Sequence, residues 1–102
     1  MRKYRVEFLK PAEKDLFDLY ETIAARAGLA VAGNYIDRVE VACLELATSP
    51  LRGTKRDEIL PGLRTIGFER RATIVFRVHG SRVTIVRVLY GGQDFERALR
   101  SR

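Results

Sequence analysis

Groups able to do acid–base or metal chemistry are few in this chain and far apart. His79 is the single histidine and Cys43 the single cysteine. An imidazole is the one side chain that titrates near neutrality unperturbed, so His79 is the first candidate for a general base. The register of a hairpin turning at Gly80-Ser81 sets Tyr90 opposite Arg71 and eight positions along the strand from His79. At about 3.3 Å per residue that is about 26 Å, too far for one active site. His79 therefore reads as a solvated strand-end histidine. Cys43 lies in a helical apolar pattern and reads as a small core residue. Zinc sites usually gather four N/S ligands, and one histidine with one cysteine falls short of that set. Glu69 with Asp94, and Asp57-Glu58, have loop or surface spacing. Gly91-Gly92 follows a strand without the strand–loop–helix context of a phosphate loop. The expectation is no catalytic constellation, no metal and no cofactor.

The remaining chemistry is positive charge. The chain carries a net +6 over 102 residues. Residues 11–49 hold seven acids against three bases, a net −4, whereas residues 1–10 carry +3 and residues 50–102 carry +7. Arg64, Arg77 and Arg87 fall on apolar-alternating segments, and Arg97, Arg100 and Arg102 cluster at the C-terminal end. An acidic half joined to a basic half suits an acidic partner, protein or nucleic acid. The basic residues are spread over a loop, strand ends and the tail, with no recognition helix in the basic half, which argues against a plain nucleic-acid-binding module.

The elements that must position these residues follow from periodicity. Tyr4 to Leu9 alternates as a half-buried strand. Pro11 opens a helix, where its missing N–H costs nothing, and Ala12, Leu16, Leu19, Tyr20, Ile23 and Ala27 recur at helical spacing up to Gly28. A second helix carries Ala32, Tyr35, Ile36, Val39, Ala42, Cys43 and Leu46 and ends before Pro50. The short connection makes the pair an antiparallel hairpin. Leu51 to Pro61 reads as a basic loop. Leu63–Phe68, Ala72–His79 and Arg82–Tyr90 read as three strands of an antiparallel meander, with Gly80-Ser81 suited to a type II′ turn. Phe95 to Arg100 reads as a short last helix. This order gives a single α+β domain over residues 1–102, with the helical hairpin on one face of an antiparallel sheet.

Strict alternation then divides the sheet. Ile74, Phe76, Val78, Val83, Ile85 and Leu89 face the helices. Thr73, Val75, Arg77, His79, Thr84, Val86, Val88 and Tyr90 line the other face, with Ile74 opposite Arg87. That second face is apolar, and little chain is left to cover it, so it reads as a binding surface. No run approaches the ~18 apolar residues of a membrane span. The start of the chain lacks a signal-peptide pattern, so a cytoplasmic location is expected.

Several short motifs in order resemble one family. They are Tyr4-Arg-Val-Glu-Phe, Ala12 with Asp15-Leu16, Ala32 with Tyr35, Pro50 through Gly53 with Arg56, Gly62-Leu63-Arg64, Ile74-Val-Phe-Arg-Val, and Val88-Leu-Tyr-Gly-Gly-Gln-Asp94. Over nearly its whole length the chain resembles the ParE toxins of the ParE/RelE superfamily. Lys10 departs from the pattern, standing where a helix-capping serine is common, and Gln93 stands where an arginine commonly precedes the aspartate. The resemblance implies a toxin held inactive by a ParD-type antitoxin, with nucleic acid bound only indirectly through that complex. It also implies DNA gyrase as the target. RelE-type relatives instead cut messenger RNA on the ribosome, with basic residues on the sheet and a tyrosine near the C-terminus. The arginine that opens their third strand falls on Thr73 here, and the one after their last strand on Gln93. Both changes remove phosphate-binding charge and favour a non-enzymatic toxin. On this reading the antitoxin contacts are Arg64, Val75, Arg77, Val86, Arg87, Val88 and Tyr90, and the target contacts are Phe95, Arg97, Leu99, Arg100 and Arg102.

Overall fold

Leu9 and Pro11 turn the chain out of its first strand and into its first helix. A computed structural model of the protein describes residues 3–91. Strand β1 (Arg5–Phe8) leads to Leu9, whose extended backbone makes it the N-cap of helix α1 (Lys10–Ala27), with Pro11 in the first turn. The cap is Leu9 rather than Lys10, and it makes no side-chain bond to the helix. Leu9 is 43 % exposed, so a polar side chain would fit there. Leu9→Ser is expected to stabilise the domain by about 1 kcal/mol, the usual worth of a side-chain cap. A denaturant midpoint unchanged or lowered in the variant would count against this.

Gly28 alone joins α1 to helix α2 (Leu29–Leu44), at a positive φ of 96°. That backbone is easy for glycine, and it allows the immediate reversal. A 3₁₀ turn, Glu45–Ala47, follows α2. The basic loop then contains a two-residue strand, β2 (Thr54–Lys55), absent from the periodicity reading because both of its side chains are exposed. Strands β3 (Leu63–Phe68), β4 (Ala72–His79) and β5 (Arg82–Tyr90) have the bounds expected from sequence. The short helix expected at Phe95 to Arg100 lies outside the described residues.

The sheet order is β1-β5-β4-β3-β2. The sheet is mixed rather than wholly antiparallel, because β1 pairs parallel to β5, from Arg5 opposite Arg82 to Phe8 opposite Ile85. Placing α1 and α2 between β1 and the meander lets the first strand return beside the last. The helices cover one face, and Ala12, Leu16, Leu19, Tyr35, Val39, Cys43 and Leu46 meet Ile74, Phe76, Val83 and Ile85 there.

Alternation fails at one residue. Phe76 pairs with Ile85, but Val75 pairs with Arg87, so Val86 is an extra residue in β5. A bulge of this kind shifts the strand's facing by one position. Ile74 is therefore opposite Val88, not Arg87, and Tyr90 is opposite Ala72, not Arg71. Val88 and Tyr90 pack with the helix-side core, and Leu89 joins Leu63 and Val75 on the other face. Those assignments reverse the ones drawn from strict alternation.

The second face is also better covered than expected. Leu63, Val75 and Leu89 form a buried cluster with Ile59 and Val86 packed against it. The loop that carries Ile59 is tied down by the Arg56 N–H to the Leu63 carbonyl at 2.8 Å. Gly62 N–H bonds Asp57 Oδ1 at 2.9 Å. Gly53, in the same loop, has a φ of 82°, and a Cβ there would run into the Thr65 carbonyl of β3.

Candidate interaction site

The bulge in β5 creates a charged latch. Strand β1 ends at Phe8, opposite Ile85, so beyond that point β5 has a strand only on its β4 side. Asp15 of α1 reaches this open edge. Its carboxylate accepts bonds from Arg87 Nε at 2.7 Å and Nη2 at 2.9 Å, and from the Val88 backbone N–H at 2.8 Å. A bidentate guanidinium–carboxylate pair is among the stronger polar contacts available to a protein. The bond to Asp15 holds the Arg87 guanidinium above its ordinary range, against the opposing effect of burial. Asp15 thus does at the sheet edge what a neighbouring strand would do. Sequence reading marked Asp15 and Arg87 separately and did not join them.

Arg64, Arg77 and Arg87 do not form one patch. Arg64 lies opposite Phe76, on the helix-side face, and its Nη1 donates to the carbonyls of Leu51 at 3.1 Å and Arg52 at 3.3 Å. Arg77 lies opposite Leu63, on the other face, with Nε donating to the Pro61 carbonyl at 2.9 Å. These three bonds pin two long side chains, whose other guanidinium N–H groups make no bond among the described residues. Of the apolar positions expected at the same surface, Val75 and Val88 are buried, and Val86 and Tyr90 are half-buried. The uninterrupted apolar stripe is therefore not formed, because the bulge and the loop around Ile59 divide it. Phe95, Arg97, Leu99, Arg100 and Arg102 lie outside the described residues.

His79 is exposed at the end of β4, across from Arg82. Tyr90 sits at the opposite end of the hairpin, opposite Ala72. Seven positions at about 3.3 Å each separate the two by about 23 Å. Burial pushes the Cys43 thiol up to about 12, so it is neutral and inert while the domain is folded. Among the described residues no group of His, Cys, Asp and Glu could hold a metal ion, and no helix is long and apolar enough to cross a membrane.

Another feature was not anticipated. Arg38 of α2 bonds Glu69 through two nitrogens, at 2.9 and 3.1 Å, and lies 5.4 Å from the centre of the Tyr35 ring. The hydrogen bond from Arg38 holds the Glu69 carboxyl below its ordinary range. The pair's contribution is therefore present above the ordinary glutamate range and fades as pH falls through the lowered value. Both side chains are exposed, so the effect is small. Glu69 and Arg70 form the β3–β4 turn with positive φ of 49° and 64°, a conformation that side chains other than glycine or asparagine adopt at a cost.

The family model described as "ParE toxin of type II toxin-antitoxin system, parDE" matches residues 6–95. The chain belongs to the ParE toxin family. It is 30 % identical to Toxin ParE3 of Caulobacter vibrioides over 87 residues, covering 85 % of this chain and 86 % of that protein. Among solved structures, this family member superposes on a chain of the chromosomal ParDE toxin–antitoxin system from P. aeruginosa with a TM-score of 0.76. The identity is 23 %, over 87 % of this chain and 97 % of that one. It also superposes on a chain of the RelBE2 toxin–antitoxin complex from Mycobacterium tuberculosis, with a TM-score of 0.60 and 29 % identity over 91 % and 97 % of the two chains. The α+β architecture and the ParE assignment expected from sequence both stand.

Proposed function

We propose that this ParE-family toxin is held inactive by a ParD-type antitoxin and, once freed, arrests growth by binding DNA gyrase without catalysing a reaction. Family membership carries the first half of this reading. The second half rests on the dispersal of the titratable groups. His79 and Tyr90 occupy opposite ends of the β4–β5 hairpin, and the resemblance sets Thr73 where RelE-type nucleases carry an arginine. The cytoplasm is the compartment in which such a pair would act. The likeness to the RelBE2 chain favours a second reading, a ribosome-dependent mRNA endoribonuclease. Two assays on the purified chain separate them. Inhibition of gyrase supercoiling with intact mRNA on primed ribosomes supports the first reading. mRNA cleavage with supercoiling unaffected supports the second.

The antitoxin surface is proposed at the residues read for it from the sequence. Arg77 and Val86 lie on the face away from the helices, Arg64 beside the Leu51-Arg52 loop, and Arg87 and Tyr90 along the β5 edge, with Val75 and Val88 as their buried support. An antitoxin that contacts several of these must wrap around the sheet rather than sit on one face. Its helix would take a groove between hairpin and sheet, and an extended segment would follow a sheet edge. Arg77→Glu is expected to weaken the complex about tenfold and to reduce its salt dependence. Unchanged affinity and salt dependence would remove Arg77 from the interface. Phe95, Arg97, Leu99, Arg100 and Arg102 are proposed for the target. Deleting residues 95–102 should leave antitoxin binding intact and abolish growth arrest. A deletion variant that stays fully toxic would move the target site onto the sheet.

A further inference from the structure

Between the start of α2, the end of α1 and the end of the β4–β5 hairpin lies an open cavity of about 440 Å³. Ile23 and Val31 give it apolar walls, and Asn34, Tyr35, Arg71 and Tyr90 give it polar ones. The Arg38–Glu69 pair closes its rim. Tyr35 is 8 % exposed, held edge-on by the rings of Phe68 and Tyr90 at 5.7 and 6.2 Å. Its hydroxyl is buried and has no hydrogen-bond partner among the described residues. A buried hydroxyl with no acceptor is a standing cost to the fold, and it is removed when an acceptor arrives. Arg71 is exposed at the same cavity and makes no ion pair among the described residues. The start of α2 adds to the positive potential, since Gly28 supplies no side-chain cap and the first turn holds no acid.

We propose that this cavity accepts one carboxylate, presented on an acidic side chain with apolar neighbours by a protein partner. The carboxylate takes the Tyr35 hydroxyl and the Arg71 guanidinium as donors, with a small shift of the cavity wall uncovering the hydroxyl, which is closed to water in the free chain, and the exposed Arg71 side chain moving in alongside it. Asn34 can supply a further amide donor. The charge balance selects a monoanion. Glu69 already offsets Arg38, which leaves the single charge of Arg71. A nucleic-acid backbone would bring many charges to a site with one free cation among the described residues, and it would meet Glu69 at the rim. The walls of Ile23 and Val31 suit the apolar residues beside an acid in a peptide and offer nothing to a free phosphate.

The probe is the peptide acetyl-Leu-Glu-Leu-amide, titrated into the full-length chain and followed by amide chemical shifts. Saturable shifts are expected at Val31, Asn34, Tyr35, Arg71 and Gly91. The Leu-Gln-Leu peptide should bind at least about tenfold more weakly, as loss of a charge-assisted bond requires. Tyr35→Phe keeps the ring and should weaken binding about tenfold without lowering the melting temperature, since only an orphan hydroxyl is lost. Arg71→Gln should do the same, and Arg82→Gln, at the far end of β5, should change nothing. Equal binding of the two peptides, full binding by Tyr35→Phe, or tighter binding of inorganic phosphate at the same residues would each overturn the proposal.

Discussion

Asp15→Ala is expected to destabilise the domain by about 2–3 kcal/mol. One carboxylate satisfies the Arg87 guanidinium through two bonds and the Val88 N–H through a third. Removing it leaves a charge and a backbone donor without a partner at once. Breaking a buried pair costs about 3–5 kcal/mol. The Asp15 side chain is 14 % exposed and that of Arg87 24 %, so water recovers part of that loss. Asp15→Asn should cost less, since its amide oxygen can still accept from Val88. The double variant Asp15→Leu/Arg87→Met should recover much of the stability of Asp15→Ala, because neither charge remains to be satisfied. Chemical denaturation of the four proteins tests the cycle. An Asp15→Ala variant within about 0.5 kcal/mol of the parent, the range of an ordinary surface change, would show that the latch contributes little.

Gly53→Ala is expected to be comparably damaging for a different reason. Its φ of 82° is costly for any residue with a side chain, and the new methyl would meet the Thr65 carbonyl, which is backbone in the middle of β3. Thr65 pairs with Thr54 and with Val75, so relief must come from the loop. The left-handed conformation alone costs about 1–2 kcal/mol, and displacing β2 from β3 adds to it. We expect a loss of about 2–4 kcal/mol, with amide exchange accelerating first at Thr54, Lys55 and Arg64. Parent-like stability in this variant would mean that the loop shifts freely. Gly53 belongs to the Pro50–Gly53 motif, and this close approach gives that motif a structural reason.

Much of the architecture was legible because long segments kept one period. The three meander strands alternate apolar and polar residues between clear turn residues, and both helices carry an unbroken apolar stripe. What escaped was whatever broke the period without a marker. Val86 is an ordinary strand residue, so nothing in its type announces a bulge. One signal was present: strict alternation placed Arg87 among the helix-facing apolar residues, a position a charge does not take without a partner. That conflict could have pointed both to the bulge and to an acid on the covering helix. The two-residue β2 has no period to read. The pairing of β1 with β5 depends on a return across the whole domain, which local pattern does not specify. At the candidate site, types and positions of the arginines were readable, but their division among two faces and an edge was not, because the bulge and the Ile59 loop set it. The Tyr35 cavity was hidden for the same reason, since Tyr35 fits the core stripe of α2 and only the packing leaves its hydroxyl without an acceptor among the described residues.

The most direct test is growth of a bacterial culture in which this chain is induced alone or together with its proposed ParD-type antitoxin. The account predicts arrest on induction alone, loss of gyrase supercoiling activity in those cells, and full growth when the antitoxin is co-expressed and co-purifies with the chain. Normal growth on induction of soluble, folded protein, or arrest that the bound antitoxin does not relieve, would contradict it.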